Sequence, residues 1–143
     1  MNIFQIDFGT PEYDEAFKLR YNVLRAPLGL DYDPEIICQE YPHLHFGVYD
    51  DAMKIQGYYM MVLHDTHILK MKQVSVDESK QKSGIGRSMV EHCIHWARLH
   101  GYKQIDIHAR EYAVPFYEKL GFKKSGKRFE EVGLPHHSMT RTI

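Results

Sequence analysis

The shortages in this chain exclude more than its abundances do. It holds two cysteines, one tryptophan and no run of 18 consecutive apolar residues. A membrane-crossing helix needs roughly 20 such residues, so none is expected. Cys38 and Cys93 cannot build a disulfide framework, and reduced thiols in a cytosolic protein are the simplest account of them. Neither sign of charge dominates, with 18 Lys and Arg against 19 Asp and Glu. No basic excess points to nucleic acid, and no charge block points to a tail. The opening residues, Met1 to Asp7, lack the basic region and long apolar run of a secretory signal, and a cytoplasmic location is expected.

Two familiar phosphate loops are also missing. GxxxxGK[ST] does not occur, and Gly84 and Gly86 are followed by Met89 where GxGxxG needs a third glycine. Ten histidines invite a metal reading. His43 and His45 lie two apart, His92 and His95 three apart, and His136 and His137 are adjacent. None falls in a paired-cysteine zinc pattern or an HExxH helix, so solvated or hydrogen-bonded histidines are expected and no metal site.

What is present suits an ordinary folded protein: 143 residues, 43% hydrophobic and 13% aromatic. This is enough chain to bury one core, and one domain over residues 1–143 is expected. Residues 3–8 read as an opening strand. Thr10-Pro11-Glu12 supplies a hydroxyl cap, a proline at the first helical position and an early acid. The ensuing helix places Tyr13, Phe17, Tyr21 and Leu24 on one stripe and stops near Arg25, before Pro27 and Gly29. Asp33-Pro34-Glu35 opens a short helix reaching about Tyr41. Strands are expected at 45–50 and 55–64. The second of these carries the continuous run Tyr58 to Leu63, as a strand covered on both faces should.

The strand at 68–76 changes phase. Leu69 and Met71 set an odd-numbered apolar face, while Val74 and Val76 are even-numbered. A one-residue slip between Met71 and Val74 is the mark of a β-bulge. Gln81-Lys82-Ser83-Gly84-Ile85-Gly86 then turns the chain into a helix over residues 86–100, whose apolar stripe is Met89, Val90, Cys93, Ile94 and Ala97. A Gly-rich turn that ends a strand and opens a helix leaves backbone N–H groups free at the positive end of the helix dipole, where phosphate binds well. A strand at 104–110 completes a right-handed βαβ unit. A short helix at 113–120 comes next. The last strands, 123–131 and 137–142, flank a turn at Val132 to Pro135.

The segment Q-x-x-G-x-G at 81–86, with Ala113-Val114-Pro115-Phe116-Tyr117-Glu118-Lys119-Leu120-Gly121-Phe122 downstream, resembles the GNAT superfamily of N-acetyltransferases. Residues 19–29 and 129–136 resemble those of its ElaA-like or YjcF-like bacterial subgroup. The resemblance implies an α/β (α+β) fold with a mixed sheet of six to seven strands, about four helices and a splayed parallel pair. It implies transfer of acetyl from acetyl-CoA to a small-molecule or peptide amine by direct attack, with a homodimer left open. Residue by residue, it implies that the backbone of Val74, Ser75 and Val76 pairs with pantetheine. Gln81, Lys82, Ser83, Gly84, Ile85, Gly86, Arg87 and Ser88 would hold the pyrophosphate, and Arg110 stands where many members place a cofactor-contacting asparagine. Tyr117 matches the acid that protonates the leaving thiolate. The strand glutamate that serves some members as base has no counterpart among Lys70, Lys72 and Gln73. His108 and Glu111 are the candidates in its place. A silent acyl-CoA-binding sensor is the alternative reading.

Overall fold

All 143 residues are described by a computed structural model in which one mixed, eight-stranded sheet carries every helix. The strands are β1 (Asn2–Ile6), β2 (Leu44–Tyr49), β3 (Ile55–Leu63), β4 (Ile68–Val76), β5 (Gln104–Arg110), β6 (Lys123–Lys124), β7 (Phe129–Glu131) and β8 (Leu134–Thr142). Their spatial order is β1-β2-β3-β4-β5-β8-β6, with β7 also pairing β8. The helices are α1 (Pro11–Leu24), α2 (Pro34–Cys38), α3 (Ile85–Leu99) and α4 (Val114–Lys119). The strand count exceeds the six to seven expected because residues 123–131 form two short strands with Gly126 in a left-handed conformation between them. The final strand starts at Leu134, three residues before the expected 137.

The unbroken apolar run of β3 is explained by two cores. Tyr59 and Met61 face a large cluster that includes Leu69, Met71, Ile105 and the buried side of α3. Tyr58 and Met60 face the other way, against Ala16 of α1, Ile6 and Tyr49. The α3 stripe is buried as expected. Met89, Val90 and Ile94 each contribute about 1.5–3 kcal/mol by leaving water.

Helix α1 differs from its predicted stripe. Thr10 caps it, accepting from the Tyr13 N–H at 3.2 Å. Its buried residues are Tyr13, Ala16, Leu19 and Arg20, whereas Tyr21 is half-buried and donates to Asp31 at 3.2 Å. Arg20 is fully buried because Glu40 meets it with two bonds, at 2.8 and 2.6 Å. The Tyr13 hydroxyl donates to the same carboxylate at 2.9 Å. His45 joins through the Tyr58 hydroxyl at 2.7 Å and the Glu40 carbonyl at 3.0 Å. This ring of polar groups ties α1 and the segment after α2 to the middle of the sheet.

Strand β4 carries two irregularities. Met60 pairs with Lys72 and Tyr58 with Ser75, so Gln73 and Val74 together oppose Tyr59. This is the bulge read from the phase slip, and Gln73 adopts a left-handed φ of 57° within it. On its other side β4 runs parallel to β5 for three pairs only, from Ile68↔Gln104 to Lys70↔Asp106. Beyond them the two strands part, as the splayed pair predicted.

Candidate active site

The parting of β4 and β5 opens a cavity of about 390 Å³. Met71 and Val74 line one wall, Ile107 and Ala109 the other, and Tyr117 of α4 reaches it from beneath the gap. Burial pushes the Tyr117 hydroxyl above the ordinary tyrosine range, aided by nearby Tyr112 and Cys93. The ring is held by packing, 5.0 Å from Phe116 and 5.7 Å from Phe122, centroid to centroid. At neutral pH its hydroxyl is therefore protonated and ready to donate.

The loop before α3 lies outside the cavity lining and presents its backbone instead. The helix's first hydrogen bond runs from the Ser88 N–H to the Gly84 carbonyl at 3.0 Å, which leaves the N–H groups of Ile85, Gly86 and Arg87 without backbone acceptors. Lys82 and Gly84 both take left-handed conformations, with φ of 64° and 90°. Unpaired N–H groups at the start of a helix are suited to an anion. The side chains support the loop. Gln81 donates to the Val76 carbonyl at 3.3 Å, and the Ser83 hydroxyl bonds the Lys80 carbonyl. Arg87 reaches Glu91 one helical turn on, at 2.7 Å. A Cβ on Gly86 would stand 3.2 Å from the ring of Phe116, so the glycine permits helix α4 to sit close against this loop.

Val74 and Arg110 line the cavity, while Ser75 and Val76 continue β4 past it, still paired to Tyr58 and Gly57 of β3. Arg110 donates to the Leu24 carbonyl at 2.8 Å, capping the end of α1. His108 lies on the face opposite buried Ile107, as the alternation required, and lines the cavity. Its Nδ1 is 3.2 Å from Oε1 of Glu131. The second oxygen of Glu131 lies 3.6 Å from Nε2 of buried His136, whose Nδ1 is 2.9 Å from the Leu134 carbonyl. Glu131 and His136 also line the cavity and were not singled out from sequence. The only signal for them was their membership of the 129–136 segment. Glu111 lies apart, between Arg128 at 3.1 Å and His137 at 3.3 Å, and the His137 contact is the chief cause holding its carboxyl below the usual range. No three or more His, Cys, Asp and Glu side chains are arranged to hold a metal ion.

Known proteins of this shape are numerous. The family model described as an acetyltransferase (GNAT) domain matches residues 33–143. The BSU40680 protein of Bacillus subtilis (strain 168) is 28% identical over 150 residues, covering 99% of this chain and 96% of its own. Escherichia coli ElaA shares 16% identity, 99% coverage of both chains and a TM-score of 0.84. A GNAT family acetyltransferase from Elizabethkingia anophelis, solved with acetyl-CoA bound, is 21% identical with a TM-score of 0.76, covering 99% of this chain and 97% of that one. At these identities the solved structures establish the shared fold, and the family match extends over most of the sequence. The chain belongs to the GNAT acetyltransferase family.

Proposed function

We propose that the protein transfers an acetyl group from acetyl-CoA to a primary amine, by direct attack while both substrates are bound. The observation that carries this reading is the separation of β4 from β5 after Lys70 and Asp106, with Tyr117 at the gap and free N–H groups at the start of α3 beside it. An extended pantetheine arm fits the edge of β4 at Val74 to Val76, left unpaired on the β5 side, where backbone amides serve as in strand addition. The pyrophosphate fits the turn from Lys82 to Ser88, with Lys82 adding charge. Bound there, acetyl-CoA supplies an activated thioester.

The protein residues then have two tasks. His108, oriented by Glu131, takes a proton from the amine as its nitrogen bonds to the thioester carbon. Tyr117 gives its proton to the thiolate as the carbon–sulfur bond breaks. The products are an amide and free CoA thiol; His108 releases its proton to solvent and Tyr117 recovers one, which restores both groups. Among structural relatives, an aminoglycoside 6′-N-acetyltransferase has been solved with coenzyme A, at 17% identity and a TM-score of 0.81. It supports an amine as acceptor for this fold.

Millimolar acetyl-CoA should raise the melting temperature, by an amount that grows with the logarithm of its concentration. Thiol release should follow on adding a suitable amine. An unmoved melting curve would refute the reading. A shift without turnover across a broad amine panel would favour a silent acyl-CoA sensor, the reading that the absence of a carboxylate among Lys70, Lys72 and Gln73 motivates.

A further inference from the structure

The acceptor side of the cavity has two chemical poles. On β4, Lys70 and Lys72 line it, and neither takes part in an ion pair. Arg25, at the end of α1, lines the same side with its guanidinium 4.3 Å over the Tyr32 ring. Across β5, the opposite side is Glu131 held between His108 and His136. The lining contains one other carboxylate, Asp106, which accepts from Gln104 at 2.8 Å and Thr140 at 3.0 Å. Lining cations outnumber carboxylates four to two once Arg110 is added to the first three.

Charge placed this way selects among amines. A half-enclosed cavity screens charge less than open water does, so surplus cations there favour an anionic group and repel a cationic one. Aminoglycosides and polyamines carry several positive charges, and this lining does not complement them. The amine to be acetylated must reach the gap between β4 and β5, where His108 stands with Glu131 behind it. The remainder of the molecule then extends toward Lys70 and Lys72.

We propose that the acceptor is an amine that also bears an acidic group, a carboxylate or phosphate, with the amine directed to His108 and the acid to Lys70 and Lys72. This rests on the acetyltransferase reading above and specifies its second substrate.

Matched acceptors test it: amino acids of increasing chain length, each beside its carboxamide, together with an aminoalkyl phosphate, spermidine and kanamycin. Thiol release is the readout, with the acetyl-CoA melting shift recorded for every protein. At least one acid-bearing amine should be used with a kcat/KM ten-fold or more above that of its neutral analogue and above both polycations. Lys72→Glu should cut that preference ten-fold or more, or reverse it, while the acetyl-CoA shift persists. Lys70→Ala combined with Lys72→Ala should erase the preference without favouring polycations. Equal use of acid and amide, or best use of a polycation, overturns the proposal. So does the absence of turnover with every amine while acetyl-CoA still shifts the melting curve. Loss of that shift in the wild type would instead overturn the reading beneath it.

Discussion

The Tyr32 hydroxyl donates to the side-chain oxygen of Gln73 at 3.0 Å, linking the segment after α1 to the bulged residue of β4. The same ring lies under two cations, 4.7 Å from Arg20 and 4.3 Å from Arg25. One aromatic side chain thus connects the buried Arg20–Glu40 pair, Arg25 in the cavity lining and the bulge of β4. Tyr32→Phe keeps the ring and its cation contacts and removes only the hydrogen bond. It should lower stability by about 0.5–1.5 kcal/mol. If the bond also steadies the bulge, acetyl-CoA affinity should fall several-fold. Urea denaturation and a cofactor titration measure the two effects, and an unchanged affinity would limit Tyr32 to stability.

Gly86→Val tests the loop. The new side chain would press on Phe116, which a Cβ alone approaches to 3.2 Å, and would crowd the free N–H groups beside it. Phe116 is 37% exposed and has room to yield, so the fold should survive with a modest drop in melting temperature. The acetyl-CoA shift should vanish. A shift of wild-type size would remove Gly86 from the binding loop.

Tyr117→Phe separates acid catalysis from packing. The ring contacts with Phe116 and Phe122 are kept and the proton donor is lost. Turnover should fall about 10²-fold, the usual scale for a positioned acid, with acetyl-CoA affinity nearly unchanged. Because burial raises its pKa, the wild-type residue should remain protonated past pH 10, and no loss of rate below that pH should trace to it. Equal turnover in the two proteins would end its candidacy.

Stability should decline on the acid side before any carboxylate titrates. Burial lowers the pKa of His45, which bonds Tyr58 and the Glu40 carbonyl, and of His92, which bonds Tyr59 at 2.6 Å. In the unfolded chain both titrate near pH 6.5, so the unfolded state binds protons first as pH falls. Their contribution is complete above about pH 6.5 and is lost progressively below it. A melting temperature that stays level from pH 7.5 to 5 would contradict this. Glu40→Gln should be more damaging at any pH, by about 3–5 kcal/mol in urea denaturation, because it leaves Arg20 charged and buried without its carboxylate.

Where local backbone chemistry decides, the residues were sufficient. Side chains alternate strictly along a strand, so the slip between Met71 and Val74 located the bulge with no knowledge of its partner. The spacing of Met89, Val90, Cys93, Ile94 and Ala97 determined the buried side of α3, and its glycine-opened start placed the free N–H groups. The turn at 81–86 and the stretch at 113–122 together carried the family resemblance. Long-range pairing decided the rest. Arg20 was legible only as a charge on a helix, because its burial depends on Glu40 folding back across it from 20 positions away. Residues 123–131 could not show that they would split into two strands, since both lean on β8 and neither pairs with the other. Glu131 joined the site because the hairpin of β7 and β8 sets it beside β5, at 3.2 Å from a histidine 23 residues earlier. No local pattern encodes that approach, which exists only once the strands are in register.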